Sequence, residues 1–177
     1  MLAQLEKKDA QLSQQLRVAE KPGKRRNLSI LFGHSGDSWS LLVMLAAAAL
    51  LIPSWRENAF IMIAGIVLTA IVVLAIKFSV RRRRPEGEWG QLYRRADPHS
   101  FPSGHAARAA MLAVLGLALG PPWLGWLLLV WAPLVGLARV ATGLHYVSDI
   151  LAGWALGIVM GLVTLQLIPW VLFPILT

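Results

Sequence analysis

Apolar residues fill most of the chain, in runs that polar residues divide into lengths of about one bilayer crossing. A membrane-spanning helix needs about 20 apolar residues to cross roughly 30 Å of hydrocarbon. Five such segments are predicted: residues 39–53, which 31–38 extend by a turn, then 59–77, 105–119, 123–138 and 147–167. Pro169 and Pro174 disfavour a sixth crossing in the residues that follow. The pattern predicts an all-α, polytopic membrane helix bundle.

The first 27 residues follow a different pattern and are predicted to form a segment of their own. Leu2, Leu5, Leu12, Leu16 and Ala19 recur largely at three- and four-residue steps between charged and amide side chains. This periodicity predicts an amphipathic helix that ends near Pro22-Gly23 and is too polar to cross a bilayer. Such a helix lies on the membrane surface or packs against a partner helix, and a solubilising tail without fixed structure is the alternative. Residues 28–177 are predicted to form the membrane domain.

Composition supports a membrane protein and narrows its partners. Hydrophobic side chains make up 56% of the 177 residues and charged ones 15%, and the mean hydropathy is +0.60. The formal charge of +8 is concentrated in residues 6–26 and 77–108, where cations meet apolar segments. This placement indicates cytoplasmic anchoring, lipid headgroups or a phosphate-bearing substrate. It disfavours nucleic acid, since aromatic residues do not alternate with the basic ones. The absence of cysteine excludes thiolate chemistry and disulfides.

The first group of candidate site residues follows the second span, in the segment from Lys77 to Pro85. Lys77 and Arg84 are seven positions apart, so a helix that continued through them would place both cations on one face. Pro85 turns the chain away and leaves the Arg84 guanidinium at the membrane edge, where it can bind phosphate oxygens. For Arg81, Arg82 and Arg83 we favour the simpler role of positive-inside anchors.

The second group is Phe101-Pro-Ser-Gly-His105, at the start of the third span. Ser103 is a candidate N-cap, and the free amides of the first turn, with Gly104 allowing close approach, form an anion site. Arg108 lies three residues after His105 and therefore on the same helix face. The imidazole can then act as a proton donor to an anion bound there. Taken alone, this motif is also compatible with simple helix capping.

The third group lies between the last two spans and contains Arg139, His145 and Asp149. His145 and Asp149 are one helical turn apart, so the carboxylate can orient the imidazole and stabilise charge on it. Ionisable groups at the rim of a membrane domain usually serve function because they are costly to keep there. The structural alternative is an ion pair between Arg139 and Asp149.

Together, the three groups resemble the PAP2 family of type 2 phosphatidic acid phosphatases. The family signature is Lys-x6-Arg-Pro, then Pro-Ser-Gly-His, then Ser-Arg-x5-His-x3-Asp, and this chain matches it in order except for Ala138 in place of the serine. The resemblance covers about residues 35–165. The Gly36-Asp37-Ser38-Trp39 stretch also looks like the compact bacterial members.

The resemblance implies a chemical role for each site residue. His145 is the nucleophile that forms a phosphohistidine, His105 the general acid and Asp149 the residue that orients His145. Lys77, Arg84, Arg139 and the amides near Ser103 and Gly104 bind the phosphate oxygens. No metal or other cofactor is expected, because these cations and amides neutralise the phosphate charge.

The expected substrate is a lipid phosphate held in the bilayer. Candidates are undecaprenyl-type polyprenyl diphosphate, which we place first on compact size, phosphatidic acid, phosphatidylglycerol phosphate and polyprenyl-phospho-sugar phosphates. A lipid phosphotransferase, a vanadate haloperoxidase and a non-enzymatic membrane scaffold are the alternatives, and a homo-oligomer is left open.

The charge pattern also predicts how the protein sits in the cell (inner) membrane. Five spans place the amino terminus and the loop of residues 78–104 on one side, and these segments carry seven and six Lys and Arg residues. The positive-inside rule therefore predicts an active site that faces the cytoplasm.

Overall fold

The computed structural model describes residues 2–86 and 97–176, and its regular secondary structure there is helical. The helices are α1 (Leu2–Gln15), α2 (Lys24–Ser35), α3 (Ser38–Leu51), α4 (Arg56–Val80), α5 (Gly104–Leu119), α6 (Pro122–Ala141) and α7 (Val147–Leu176), with a 3-10 turn at Pro53–Trp55. Each predicted span corresponds to one of them. The helix α7 runs beyond the predicted limit of residue 167 and does not end at the prolines.

Three segments are long and apolar enough to cross a membrane unaided: Pro53–Val80, Pro122–Ala141 and Val147–Leu167. The helices α2 and α3 meet this criterion only as a pair, and the pair is bent by 55°. The first predicted span is therefore a broken one, with the break at Gly36-Asp37. The helix α5 has 16 residues and is about 24 Å long, so it is shorter than the hydrocarbon layer. The predicted all-α membrane bundle is confirmed.

The short helix α5 lies at the centre of the bundle, and its small residues allow α7 to pack closely against it. Ala106, Ala107 and Ala109 are fully buried. A Cβ atom added to Gly157 would lie 2.1 Å from the carbonyl oxygen of Ala107, and one added to Gly153 would lie 2.6 Å from that of Ser103. Only glycine permits this approach of two backbones.

The outer surface of the bundle is apolar. Large hydrophobic side chains on α3, α4, α6 and α7 are exposed, as expected of a surface covered by lipid. Examples are Val43, Met44, Leu50, Ile71, Leu74, Trp126, Val130, Leu151 and Ile158.

The amphipathic helix α1 forms as predicted, but it ends at Gln15 instead of near Pro22. It docks on the amino-terminal end of α7, where the backbone N–H of Val147 donates to Ser13 Oγ (3.0 Å) and that of Ser148 to Asp9 Oδ1 (3.1 Å). The helix thus packs against the bundle. Leu5 and Leu12 of this helix remain exposed, as does Leu16 directly after it.

Candidate active site

Lys77 and Arg84 reach the same place, but not along one helix as the spacing suggested. The helix α4 ends at Val80, because Arg81 at its C-cap takes the left-handed conformation (φ 54°) that turns the chain. Arg84 then enters from the following segment and is buried together with Lys77. A shared anion accounts for their convergence, since the Asp97 carboxylate pairs with Lys77 and lies 2.8 Å from Arg84 Nη2.

Asp97 is a member of the site that the sequence motifs did not indicate. Burial alone would raise the pKa of its carboxyl group, but the hydrogen bond and charge of Lys77, with the charge of Arg84, lower it below the ordinary value. Asp97 is therefore ionised at neutral pH. Its carboxylate lies between the two cations, Lys77 and Arg84.

Ser103 caps α5 as predicted, and it also connects the site to α7. Its Oγ accepts a hydrogen bond from the backbone N–H of Ala106 (3.4 Å), while its own N–H donates to the carbonyl oxygen of Asp149 (3.0 Å). Gly104 follows at the first position of the helix. A Cβ atom added to it would lie 3.4 Å from Arg108 Nη1. The start of α5 is thus joined to the first turn of α7 by a backbone hydrogen bond.

His145 lies in the short connection between α6 and α7, and its side chain is buried (1% exposed). Arg84 Nη1 lies 3.2 Å from His145 Nε2 and donates to the carbonyl oxygen of Leu144 (2.9 Å), which fixes the backbone beside the ring. Burial, followed by the charges of Arg84, Arg139 and Lys77, places the pKa of His145 well below its ordinary value. The imidazole is therefore neutral at physiological pH, which is the form that carries a nucleophilic lone pair.

Asp149 lies beside His145 as predicted, although the contact is loose. Its Oδ2 is 3.5 Å from His145 Nδ1, beyond hydrogen-bond distance, and accepts instead from the backbone N–H of Tyr146 (2.9 Å). Its Oδ1 receives a hydrogen bond from Arg82 Nη1 (2.6 Å). The ion pair considered for Asp149 is therefore made with Arg82, and not with Arg139.

The prediction that Arg82 is only a membrane anchor is wrong. Its guanidinium lies between two carboxylates, with Nη1 on Asp149 and Nη2 2.7 Å from Asp9 of α1. The ring of Tyr146 stacks on it, with its centroid 4.1 Å from Cζ. The run of four arginines hid this difference, because sequence alone does not show which member turns inward once the helix has ended.

These residues surround a cavity of about 250 Å³. Its polar wall brings together both histidines and every predicted phosphate-binding residue except Ser103. These residues are Lys77, Arg84, Gly104, His105, Arg139 and His145, and Asp97 and Arg108 join them. Its apolar wall includes Ala70, Val73 and Leu74 of α4, and Leu74 is exposed on the lipid-facing surface. The cavity therefore combines an anion site with an apolar side that leads toward the bilayer.

Within the described ranges 2–86 and 97–176, no group of three His, Asp or Glu side chains is arranged to hold a metal ion. That the protein works without a metal ion stays a prediction, which an activity assay has to test.

Comparison with known proteins agrees with the motifs. Residues 58–172 match the family profile described as the PAP2 superfamily. The chain is 35% identical over 134 residues to a decaprenylphosphoryl-5-phosphoribose phosphatase of Mycobacterium tuberculosis, a match that covers 73% of this chain and 71% of that protein. It is 27% identical over 128 residues to an undecaprenyl-diphosphatase of Sulfolobus acidocaldarius, covering 71% and 62% of the two chains.

The fold has a close counterpart among solved structures. A transmembrane PAP2-type phosphatidylglycerolphosphate phosphatase from Bacillus subtilis superposes with a TM-score of 0.75 at 23% identity, covering 90% of this chain and 84% of that one. The profile match extends over more than half of the chain and includes all three motif groups. This chain therefore belongs to the PAP2 superfamily and is a phosphatase of that type.

Proposed function

We propose that this protein hydrolyses the terminal phosphate of a membrane lipid through a covalent phosphohistidine on His145, without a metal. The observation that carries the proposal is the buried imidazole of His145, which lies 3.2 Å from Arg84 in a cavity that His105 also lines. A neutral ring among cations is at once a competent nucleophile and close to the groups that bind its target.

In the first step the lone pair of His145 Nε2 attacks phosphorus, and the bond from phosphorus to the lipid oxygen breaks. His105 gives its proton to that leaving oxygen, while Lys77, Arg84 and Arg139 bind the three equatorial phosphate oxygens. In the second step water attacks the phosphohistidine and gives a proton to His105, and the P–N bond breaks. Inorganic phosphate leaves, and both histidines return to their starting states.

For the lipid, we propose a prenyl-linked phosphate. The cavity itself supports only an anchored phosphate, and phosphatidic acid and phosphatidylglycerol phosphate also have one. Two relatives named above, however, act by their names on a decaprenylphosphoryl sugar phosphate and on undecaprenyl diphosphate. Both of these lipids are polyprenyl chains that end in a phosphate group, so they are the first two to be tested.

We further propose that the site faces the cytoplasm. The contact between Arg82 and Asp9 holds the basic amino-terminal segment and the site at one end of the bundle, so that one orientation satisfies both clusters of cations. Single cysteines in this cysteine-free chain test the orientation. A cysteine at Gln11 or Glu86 should resist an impermeant maleimide in intact cells and react after permeabilisation, whereas one at Ser54, at the other end, should react at once. The reverse pattern would place the substrate in the outer leaflet.

Phosphate release from a panel of lipids by the purified protein in detergent, with excess EDTA, tests the function. We expect turnover of at least one prenyl-linked phosphate, inhibition by vanadate and no turnover by His145→Ala. Product formation only with an acceptor alcohol would identify a phosphotransferase instead. Inactivity of wild-type protein on the whole panel would overturn the enzymatic proposal in favour of a scaffold.

A further inference from the structure

The turn between α2 and α3 lies directly against the ring of His105. A Cβ atom on Gly36 would be 3.3 Å from His105 Cδ2 and 2.9 Å from a methyl group of Val135, so the turn approaches the ring as closely as glycine allows. Arg108, one helical turn after Gly104, donates from Nη2 to the carbonyl oxygen of Gly36 (3.2 Å) and secures this arrangement. The turn therefore belongs to the surroundings of the site, although its sequence is far from the three motif groups.

Asp37 of this turn directs its carboxylate to His105. Its Oδ1 is 2.8 Å from His105 Nε2, and its Oδ2 is 3.1 Å from Nδ1 of the half-exposed His34. Asp37 is also the N-cap residue of α3, where an aspartate usually accepts a hydrogen bond from the helix. It makes no such side-chain bond here. The carboxylate therefore contacts the imidazole of His105 and does not cap α3.

We propose that Asp37 is a positioning residue for His105, the general acid of the proposed function on which this inference rests. The carboxylate accepts the N–H of Nε2, which leaves Nδ1 as the atom that gives the proton to the leaving oxygen and later takes one from water. Asp37 also stabilises the imidazolium form, which the nearby guanidinium groups of Arg108 and Arg139 in the same cavity oppose. The arrangement is that of a carboxylate orienting a catalytic histidine.

Asp37 precedes the segment of residues 58–172 that matches the family profile. The matched segment thus contains His105 without this partner, which α2 and α3 supply. Asp37 lies at the bend of 55° between those two helices.

The test compares two substrates that need a general acid to different degrees. Asp37→Asn should lower kcat about 10- to 100-fold on a decaprenylphosphoryl sugar phosphate, whose sugar alkoxide leaves poorly, and less than about threefold on p-nitrophenyl phosphate, whose leaving group needs little protonation. KM should stay within about twofold, because Asp37 does not touch the phosphate. The alkaline limb of the pH profile should move to lower pH, since the imidazolium loses its proton sooner without the carboxylate. Asp37→Glu should restore part of the lipid rate.

His34→Gln is the matched control, because it removes the other partner of Asp37 and keeps the contact with His105. It should change both rates by less than about twofold. An equal loss on both substrates, or no loss on either by Asp37→Asn, would overturn the positioning role while wild-type activity still upheld the proposed function. If Asp37→Asn does not fold, ¹⁵N imidazole NMR of the wild-type protein decides: a hydrogen-bonded Nε2 proton on His105 is expected, and a bare Nε2 would overturn the inference.

Discussion

Arg82 Nη1 lies 2.6 Å from Oδ1 of Asp149, so the carboxylate beside the proposed nucleophile is itself held by an arginine. Arg82→Gln should therefore lower kcat on the lipid substrate by about 10- to 100-fold, which corresponds to about 1.4–2.7 kcal/mol in the barrier. Arg83→Gln removes an exposed neighbour of the same charge and should cost less than about twofold. Phosphate release by the two purified variants measures the difference, and equal losses would mean that only the charge of the run matters.

Alanine variants of the two histidines should lose activity at different steps of the reaction. His145→Ala should reduce turnover below about a thousandth of the wild-type rate, on the order of 4 kcal/mol, because no phosphoenzyme can form. His105→Ala should still form the phosphoenzyme slowly from a substrate with a good leaving group, and should then accumulate it because water is no longer activated. Quenching with ³²P-labelled substrate in alkali, where phosphohistidine is preserved, measures this species. Label retained by His145→Ala would exclude this nucleophile.

His145 should remain neutral in the pH range where a free imidazole becomes charged. Burial and the surrounding cations depress its pKa, so its ring should take up no proton as the pH falls from 7.5 through about 6.5. Below about pH 6.5 the unfolded chain binds this proton and the native state does not, so this residue makes the native state less stable as the pH falls. Imidazole NMR in micelles, assigned with His145→Gln, follows the ring. Protonation near pH 6.5 would contradict the placement of the ring among the cations.

Asp97 should compete with the substrate. Because its carboxylate already pairs with Lys77 and Arg84, Asp97→Asn should lower KM and the inhibition constant for inorganic phosphate by about three- to tenfold, by roughly 0.7–1.4 kcal/mol. Glu86→Gln, which neutralises a nearby acid that does not line this cavity, is the control. A higher KM for Asp97→Asn would show that the carboxylate arranges the two cations and does not obstruct them.

The approach of α5 and α7 should depend on Gly157. Gly157→Ala places a methyl group against the carbonyl oxygen of Ala107, so the helices must separate, at a cost of about 1–3 kcal/mol. A lower Tm in detergent and a lower kcat are expected together, since α5 carries His105 and α7 begins beside His145. Gly33→Ala, where an added Cβ finds its nearest neighbours at 3.9 Å, should leave both unchanged. A Tm unaffected by Gly157→Ala would show that the helices tolerate a wider spacing.

The sequence was sufficient to predict the helix bundle and to select the residues of the motifs, because the lengths of apolar segments and the spacings of polar residues can be recognised in the sequence itself. It was not sufficient for residues whose partners are distant in the chain. Asp37 contacts His105 across 68 positions and Arg82 contacts Asp149 across 67. No helical or strand spacing relates the two members of either pair, so the sequence pattern could not indicate these contacts. Lys77 and Arg84 were paired correctly for an incorrect reason, since the helix that was to align them ends before Arg84.

The docking of α1 on the start of α7 has a consequence for biosynthesis. The bonds from Val147 to Ser13 and from Ser148 to Asp9 join residues 134 and 139 positions apart. Chains are made from the amino terminus, so α1 leaves the ribosome long before its partners on α7. While the intervening spans insert, α1 has no α7 on which to dock, and its leucines can contact the membrane surface. The surroundings of His145 are therefore completed only after α7 has been made, so the proposed attack on a lipid phosphate has to wait for that helix.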